Sequence, residues 1–291
     1  MATFRTEVFQ NEFLPDGGTD VHAIVRVTCE GAGQAGADAG TDAAEIVIVD
    51  TSGSMGPTGI AQGRYAASVA LQEILDGTWF AVIAGNHVGT LVYPPGRSTQ
   101  QMVRMDGRTR AEAIAAVQRF QADGGTAMGT WLTKAKEVFL SVPQVTQRHA
   151  ILLTDGANEH ETPEQLTWAI QSATGFFQCD CRGLGDRWQV DEVRRIASAL
   201  LGTVDLIPSP DRMAQEFAAL VRASMARGVP AVDLRVWAPQ GAQVLFVKQV
   251  APDLEDITAK RSLVNALTAS FPTGAWADET RDYHVAVRLP A

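Results

Sequence analysis

Residues 45–56 read Glu-Ile-Val-Ile-Val-Asp-Thr-Ser-Gly-Ser-Met-Gly, and this stretch decides the fold of the 291-residue chain. Four apolar residues stand between Glu45 and Asp50, a short continuous run that is typical of a strand buried on both faces of a parallel sheet. Ligands of open parallel sheets bind beyond the carboxyl ends of the strands. The polar residues that follow Asp50 therefore form a candidate site.

Strands and helices alternate along the chain after this stretch. Strands are expected at 79–84, 88–93, 149–154, 176–181 and 203–207, and helices at 60–75, 109–121, 128–140, 189–201 and 211–227, with a further helix opened by Thr162 as N-cap and Pro163. Thr109 is expected to cap the second helix, and Glu112 to complete a capping box. This alternation predicts an α/β fold, with a doubly wound, mostly parallel sheet between two layers of helices and a hairpin that adds an antiparallel edge strand.

The two ends of the chain show strand patterns instead. Strands are expected at 3–10, 20–29, 231–237, 244–250 and 283–289, and 262–269 is ambiguous between helix and strand. Neither end is long enough to form a stable sandwich alone. We therefore expect residues 1–30 and 229–291 to pair into one small β-sandwich-like domain. Residues 31–44, which lack large apolar side chains, would be a linker, and 45–228 an inserted α/β domain.

Composition limits the classes of function. The formal net charge is -9 with a pI of about 5.1 and no run of Lys or Arg, which argues against a nucleic-acid partner. No apolar stretch approaches the ~18 residues of a membrane span, and Met1 to Leu14 does not resemble a secretory signal. The odd set Cys29, Cys179 and Cys181 favours reduced thiols in the cytoplasm. Cys179 and Cys181 should share one strand face as buried thiols, because their spacing does not suit a zinc knuckle.

Oxygen-bearing side chains occur at three places that the predicted sheet would bring together. Asp50, Ser52 and Ser54 follow the first buried strand at alternating positions. Thr126 follows Gly124-Gly125 before a helix, and Asp155 follows the strand Ala150-Ile-Leu-Leu-Thr154, in the same topological position as Asp50. Carboxylate and hydroxyl oxygens are the ligands that Mg²⁺ prefers. The sequence therefore predicts a cation site at this edge of the sheet, for Mg²⁺ or for Mn²⁺ or Ca²⁺.

This set of residues resembles the metal-ion-dependent adhesion site (MIDAS) of von Willebrand factor A (VWA) domains over about residues 45–228. The resemblance implies a Rossmann-like VWA fold and a metal held by Asp50, Ser52, Ser54, Thr126 and Asp155. It also implies an open coordination position that an acidic residue of a partner protein fills. Asn11–Pro15 and Pro272–Trp276 resemble bacterial proteins in which such a domain is embedded in a β-domain. The implied function is a metal-dependent protein-binding module in an intracellular bacterial signalling or assembly complex.

Other functions are weighed against this one. Asp-x-Ser-x-Ser alone is an ordinary helix-capping loop, so the case for a metal depends on Thr126 and Asp155. The sequence has no Gly-x-Ser-x-Gly elbow and no phosphate-binding loop, and no Gly-x-Gly-x-x-Gly follows the first buried strand; serines that bind a metal are also poor nucleophiles. We therefore expect no enzyme. The alternatives are a metal-dependent phosphoester hydrolase and a scaffold subunit of a chelatase-type ATPase complex, whose partner would be an ATPase rather than a signalling protein.

The remaining polar and aromatic residues are given structural roles. His149 lies in a predicted strand, where a structural role is expected. Residues 159–161, Glu-His-Glu, form a solvated loop, a rim of the site that contacts a partner, or a second metal site. The tryptophans of the central region are expected in core and helix–sheet packing rather than in a ligand-binding box, namely Trp79, Trp131, Trp168 and Trp188.

Overall fold

The structure, a computed structural model, describes residues 2–33, 43–96, 101–155, 158–184, 190–207 and 210–290. The chain divides into two units, one of Met1–Gln34 with Ala226–Ala291 and one of Ala35–Met225. Most of the expected linker, residues 34–42, lies outside the described residues. Its last two residues, Ala43 and Ala44, already belong to the first strand of the larger unit.

The helices and strands have the following bounds. The strands are β1 (Thr3–Gln10), β2 (Asp20–Glu30), β3 (Ala43–Asp50), β4 (Trp79–Gly85), β5 (Gly89–Tyr93), β6 (Val103–Arg104), β7 (Gln147–Thr154), β8 (Gln178–Leu184), β9 (Val204–Ile207), β10 (Val229–Trp237), β11 (Gln243–Ala251), β12 (Glu255–Asp256), β13 (Ser262–Asn265), β14 (Thr268–Trp276) and β15 (Glu279–Arg288). The helices are α1 (Gly56–Glu73), α2 (Gly107–Val117), α3 (Met128–Leu140), α4 (Pro163–Ala173), α5 (Val190–Ala199) and α6 (Pro210–Met225). Of the helices described, none has the length and apolar character that crossing a bilayer requires.

The sheet of the larger unit confirms the predicted fold class. Within the described residues its strand order is β5-β4-β3-β7-β8-β9, and the short β6, which was not predicted, also pairs with β4. β3 pairs in parallel with both β4 and β7, whereas β5 is the expected antiparallel edge strand. The chain leaves β3 for β4 on one side and returns to β7 on the other. β3 therefore lies at the switch point, where an open α/β sheet forms a crevice.

Side chains of β3 pack against helices on both faces of the sheet. All eight residues of the strand are buried. Ile46 and Ile48 join a core with side chains of α3, α4 and α5, whereas Val47 and Val49 join a second core with α1, α2 and α6. Each such aliphatic side chain contributes roughly 1.5–3 kcal/mol when it leaves water. The two cores together fix β3, and with it the position of Asp50.

The expected N-cap of α2 was wrong. The helix begins at Gly107, and its N-cap is Asp106, whose carboxylate accepts a hydrogen bond from the Thr109 N–H at 2.7 Å. The Thr109 hydroxyl in turn bonds the Asp106 N–H at 2.9 Å, so the capping box exists but starts three residues earlier than predicted. Asp caps at least as well as Thr, and Gly107 and Arg108 can both occupy the first turn. The prediction for α4 was correct, with Thr162 as N-cap and Pro163 in the first turn.

The tryptophans do not all pack in the core as expected. Trp131 is fully buried on α3, and its indole N–H donates to the Asn86 carbonyl at 2.7 Å. Trp79 is partly buried against the same core, whereas Trp188 lies outside the described residues. Trp168, on α4, is 64% exposed, so a core role for it was wrong. Its helix turns Leu166 and Ile170 to the core instead, which leaves position 168 on the outer side.

The smaller unit contains two antiparallel sheets, and the larger of them combines strands from both chain ends, as expected. In the described part of the chain their strand orders are β1-β2-β15-β11-β12 and β10-β14-β13. Phe271 and Trp276 of β14 and Tyr283 of β15 are almost fully buried. The ring of Phe4, from β1, meets Trp276 edge-on, with 5.5 Å between centroids. The ambiguous residues 262–269 form a β-hairpin rather than a helix, because β13 pairs with β14 across a two-residue turn.

A buried ionic network ties three strands of the larger unit together. His149 on β7 lies between two carboxylates, with Nδ1 2.5 Å from Glu45 on β3 and Nε2 2.8 Å from Asp180 on β8. All three side chains are buried. Ser224 of α6 donates to the second oxygen of Glu45, and the Thr203 hydroxyl donates to Asp180. The structural role expected for His149 is thus confirmed. The neighbouring thiols of Cys179 and Cys181 are buried and share one face, as expected.

This network predicts that stability falls in alkaline solution. Burial lowers the pKa of His149, but the Glu45 and Asp180 carboxylates outweigh burial and raise it to about 9. Because the pKa is about 6.5 in the unfolded chain, the stabilisation is complete below pH ~6.5 and is lost as the pH rises through about 9. Urea denaturation from pH 6 to pH 10 should show this loss. His149→Leu, which removes the cation between two buried carboxylates, should lower the free energy of unfolding by about 3–5 kcal/mol at neutral pH.

The exposed histidine His87, on the turn between β4 and β5, provides the control, since His87→Leu should leave both the stability and its pH profile nearly unchanged. A wild-type unfolding free energy that stays constant between pH 7 and pH 10 would contradict a charged His149 in the core.

Candidate metal centre

Asp50 ends β3 with a buried and firmly oriented carboxylate. One oxygen accepts the backbone N–H of Ser52 at 2.8 Å, and the other accepts the hydroxyl of Thr154 at 2.6 Å. Thr154 is the last residue of β7, which runs beside β3, so the bond joins the ends of two adjacent strands. The side chain of Asp50 is fully buried. Its position therefore follows from strand pairing and not from a mobile loop.

Two serine hydroxyls connect the loop after β3 to the loop after β7. Ser52 and Ser54 lie within hydrogen-bond distance, with 2.9 Å between their hydroxyl oxygens. The Ser54 hydroxyl also lies 3.0 Å from Oδ1 of Asp155 and donates to it. Ser54 lies in a short 3-10 turn that leads directly into α1. Four of the residues expected at the site, Asp50, Ser52, Ser54 and Asp155, are thus brought into one group.

Thr126, the fifth expected residue, reaches the same edge of the sheet through its loop. The backbone N–H of Gly53 donates to the Gly124 carbonyl at 2.8 Å, and the N–H of Asp123 donates to the Thr51 carbonyl at 2.8 Å. Gly124 has φ of +75°, a conformation that favours glycine. Thr126 itself is buried. Two backbone hydrogen bonds therefore join the loop before α3 to the loop after β3.

Residues 158–161 are hydrogen-bonded to residues 126–129, so they are not simply a solvated loop. His160 forms two bonds with Thr126: its own N–H donates to the Thr126 carbonyl at 2.9 Å, and its Nδ1 accepts the Thr126 N–H at 3.2 Å. Asn158 accepts the N–H of Met128, and Glu161 accepts the N–H of Gly129 at 2.7 Å. These side chains satisfy the free N–H groups at the start of α3. One feature of the sequence indicates that α3 needs caps from elsewhere in the chain: Ala127, at the N-cap position, has no side chain that can accept a hydrogen bond.

The electrostatics of the group favour an added positive charge. The pKa of Asp50 is raised to about 6, chiefly by burial and to a smaller extent by the nearby charge of Asp155, against the opposing effect of hydrogen bonds from Ser52 and Thr154. Two carboxylates and several hydroxyls therefore converge where ionisation of Asp50 is costly. A cation would offset both the desolvation and the repulsion between the carboxylates.

The donor set fits a hard cation. Its side-chain donors are carboxylate and hydroxyl oxygens, without the sulfur or imidazole nitrogen that typifies zinc and copper sites. Across the described ranges, no three or more His, Cys, Asp or Glu side chains form a cluster that could hold a metal. A cation at this place would therefore depend on Ser52, Ser54 and Thr126 as well as on the two aspartates.

Comparison with known proteins identifies the family. The sequence model of the von Willebrand factor type A domain matches residues 43–206, which is more than half of the chain. The chain therefore belongs to this family. A curated relative, an uncharacterised protein of Synechocystis sp., is 26% identical over 218 residues, which are 74% of this chain and 50% of the relative. The chain thus spans about half the length of that relative.

Two solved structures show the same architecture. A von Willebrand factor type A protein from Catenulispora acidiphila is 44% identical with a TM-score of 0.91, over 99% of this chain and 65% of that one. Proximal thread matrix protein 1 from the mussel byssus, with a zinc-occupied MIDAS motif, has a TM-score of 0.50 at 16% identity, over 69% of this chain and 50% of that one. The second likeness is one of fold alone.

The contact between Gly125 and His160 predicts an effect of a single methyl group. A Cβ at position 125 would overlap the His160 ring, so Gly125→Ala must displace the ring and break its bond to the Thr126 N–H. We expect a loss of about 1–3 kcal/mol in unfolding free energy, measured by urea denaturation. Combining Gly125→Ala with His160→Ala should cost less than the sum of the two single changes.

Gly107→Ala is the matched control, because nothing lies within 4 Å of the added methyl group, and its stability should not fall. Strict additivity of Gly125→Ala and His160→Ala would show that the two residues do not interact as described.

Proposed function

We propose that this chain is a metal-dependent protein-binding module. Asp50, Ser52, Ser54, Thr126 and Asp155 would hold Mg²⁺, or Mn²⁺ or Ca²⁺ in its place, as a MIDAS. The bound metal would supply an open coordination position for the carboxylate of an acidic residue on a partner protein. The domain of residues 45–228 would be inserted into a β-domain of 1–30 and 229–291. Its setting would be an intracellular bacterial signalling or assembly complex in the cytoplasm.

The main support for this proposal is the series of hydrogen bonds that crosses the switch point of the sheet. Ser52 bonds Ser54, and Ser54 bonds Asp155, at the distances of ordinary hydrogen bonds. Oxygen atoms so close together can turn toward a common cation with small movements of side chains. The zinc in the MIDAS motif of the mussel protein supports the same assignment, because the two proteins share a fold. Reduced thiols at Cys29, Cys179 and Cys181 are consistent with the cytoplasm.

A binding role is favoured over catalysis. The hydroxyls of Ser52 and Ser54 bond each other and Asp155, so as metal ligands they would not be activated as nucleophiles. The nearby His160 directs its Nδ1 at a backbone N–H, not at a serine hydroxyl. The loops around residues 55–60, 86–88, 124–128 and 156–162 would select the partner, because a metal–carboxylate bond alone provides little specificity.

Asp50→Asn should weaken Mg²⁺ binding but stabilise the metal-free fold. Asp50→Asn should abolish the heat of Mg²⁺ binding in calorimetry because it removes a buried anionic ligand. The raised pKa of Asp50, about 6 against about 3.9 unfolded, means that its charge destabilises the metal-free fold at pH 7. Asp50→Asn should therefore raise the metal-free unfolding free energy by about 1–3 kcal/mol, since the Thr154 hydroxyl can turn to accept from the amide.

Asp123→Asn, on an exposed carboxylate of the neighbouring loop, is the control and should bind Mg²⁺ like the wild type. Addition of Mg²⁺ at about 100 times its Kd should stabilise the wild type by about 2.7 kcal/mol and leave Asp50→Asn unchanged. Undiminished Mg²⁺ binding by Asp50→Asn would refute the assigned ligand set.

Partner capture should require the metal. Immobilised wild-type chain should retain proteins from a lysate of its own organism in Mg²⁺ and release them in chelator, and Asp155→Asn should retain none of this set. Mass spectrometry of the released proteins would identify the partner class. An ATPase among them would favour the scaffold alternative. A retained set that is the same with and without chelator would argue against capture through a metal.

A further inference from the structure

A groove of about 650 Å³ lies between α3 and α4 on the larger unit. Ligand sites commonly have volumes of about 300–1,000 Å³. α3 contributes Gly129, Lys134 and Glu137, α4 contributes Glu164 and Trp168, and the β4–β5 hairpin contributes Val88. The two helices approach closely at Gly129, where a Cβ would meet both Glu161 and the Cβ of Ala169. The floor of the groove is therefore set by helix packing.

Trp168 forms an exposed aromatic wall of this groove. The side chain is 64% exposed, although indole is among the largest apolar groups of proteins. Glu164 lies one helical turn before it on α4, so a carboxylate and an aromatic face share one side of the helix. Exposed tryptophans are frequent anchor residues in protein interfaces. The pairing of a ring with a carboxylate is suited to an organic cation.

The charges around the groove are predominantly negative. Glu137, Glu161 and Glu164 line it, against the single ammonium group of Lys134. Lys134 is engaged by Glu137, with 2.7 Å between Nζ and Oε2. Glu161 accepts the Gly129 N–H, whereas Glu164 is exposed. Bonds from its own backbone N–H and from Thr162 lower the pKa of Glu164, so it is ionised at neutral pH.

The groove adjoins the candidate metal centre through a shared residue. His160 lines the groove and also forms hydrogen bonds with both the N–H and the carbonyl of Thr126. Gly129, in the groove wall, follows Thr126 by three residues. A partner segment that places one residue at the metal could therefore place a neighbouring one in the groove.

We propose that the groove between α3 and α4 receives a basic side chain, an arginine or lysine, of the same protein partner whose acidic residue binds at the metal. This inference rests on the proposed function, which it extends to a two-point recognition of an acidic and a basic residue. The cationic head group lies over the Trp168 ring beside the Glu164 carboxylate. Tryptophan binds cations on its face more strongly than tyrosine or phenylalanine, and guanidinium also stacks as a planar group.

The proposal is tested with N-acetyl-arginine methylamide as the probe, while the indole ¹H–¹⁵N resonance of Trp168 is followed by NMR. The resonance is assigned from its loss in Trp168→Phe. The neutral isostere N-acetyl-citrulline methylamide is titrated in parallel. We expect the arginine probe to shift the Trp168 resonance with a Kd on the order of 1–10 mM, and the citrulline probe to shift it far less. Glu164→Gln should weaken arginine binding by roughly threefold, while Glu159→Gln should not.

Trp237 is an internal control, because it is also 64% exposed and lies on β10 of the other unit. Equal shifts of Trp168 and Trp237, equal effects of arginine and citrulline, or no shift of Trp168 would each overturn the proposal. All titrations are run in chelator and repeated with Asp50→Asn. Groove binding should persist there, so its failure is distinguishable from failure of Mg²⁺ binding at the metal centre.

Discussion

The Thr154 hydroxyl donates a 2.6 Å hydrogen bond to Asp50 across the ends of β3 and β7, and the candidate site depends on it. This bond forms because the two strands pair in parallel and in register, so that their carboxyl ends meet at the switch point of the sheet. Two hydrophobic cores hold β3 from opposite faces. The bond orients the Asp50 carboxylate, and the two serines continue the hydrogen-bonded chain to Asp155. The position of the site thus follows from the packing of the sheet, and the loops after the strands supply its remaining residues.

Burial of an aspartate at this place opposes the stability of the fold. Removal from water raises the pKa of Asp50, and the charge of Asp155 adds to that effect. At the opposite end of the same strand, Glu45 is buried as well, but it has His149 beside it. The two ends of β3 therefore differ: one buried carboxylate is paired with a cationic side chain, and the other has hydroxyl and amide partners. This contrast is the physical reason to place a metal ion at Asp50.

The sequence alone was sufficient to predict structural features that neighbouring residues determine. The apolar run before Asp50, the hairpin after Trp79 and the Thr162 cap are recorded in adjacent residues, and each was predicted correctly. Some long-range features were not predicted. Asn158 and Glu161 cap α3 from thirty residues away in the chain, and Trp168 is exposed because its neighbours on α4 face the core. The local pattern also placed the N-cap of α2 at Thr109, whereas the backbone of the loop makes Asp106 the N-cap.

The direct test of the central claim is a crystal of the chain soaked in Mn²⁺, with anomalous diffraction measured to locate the ion. The account predicts one strong anomalous peak within coordination distance of Ser52 and Ser54, close to Asp50, Thr126 and Asp155. Replacing Asp50 with Asn should remove this peak and leave the surrounding loops in place. A wild-type crystal without a peak at these residues, or with its strongest peak elsewhere on the protein, would contradict the account.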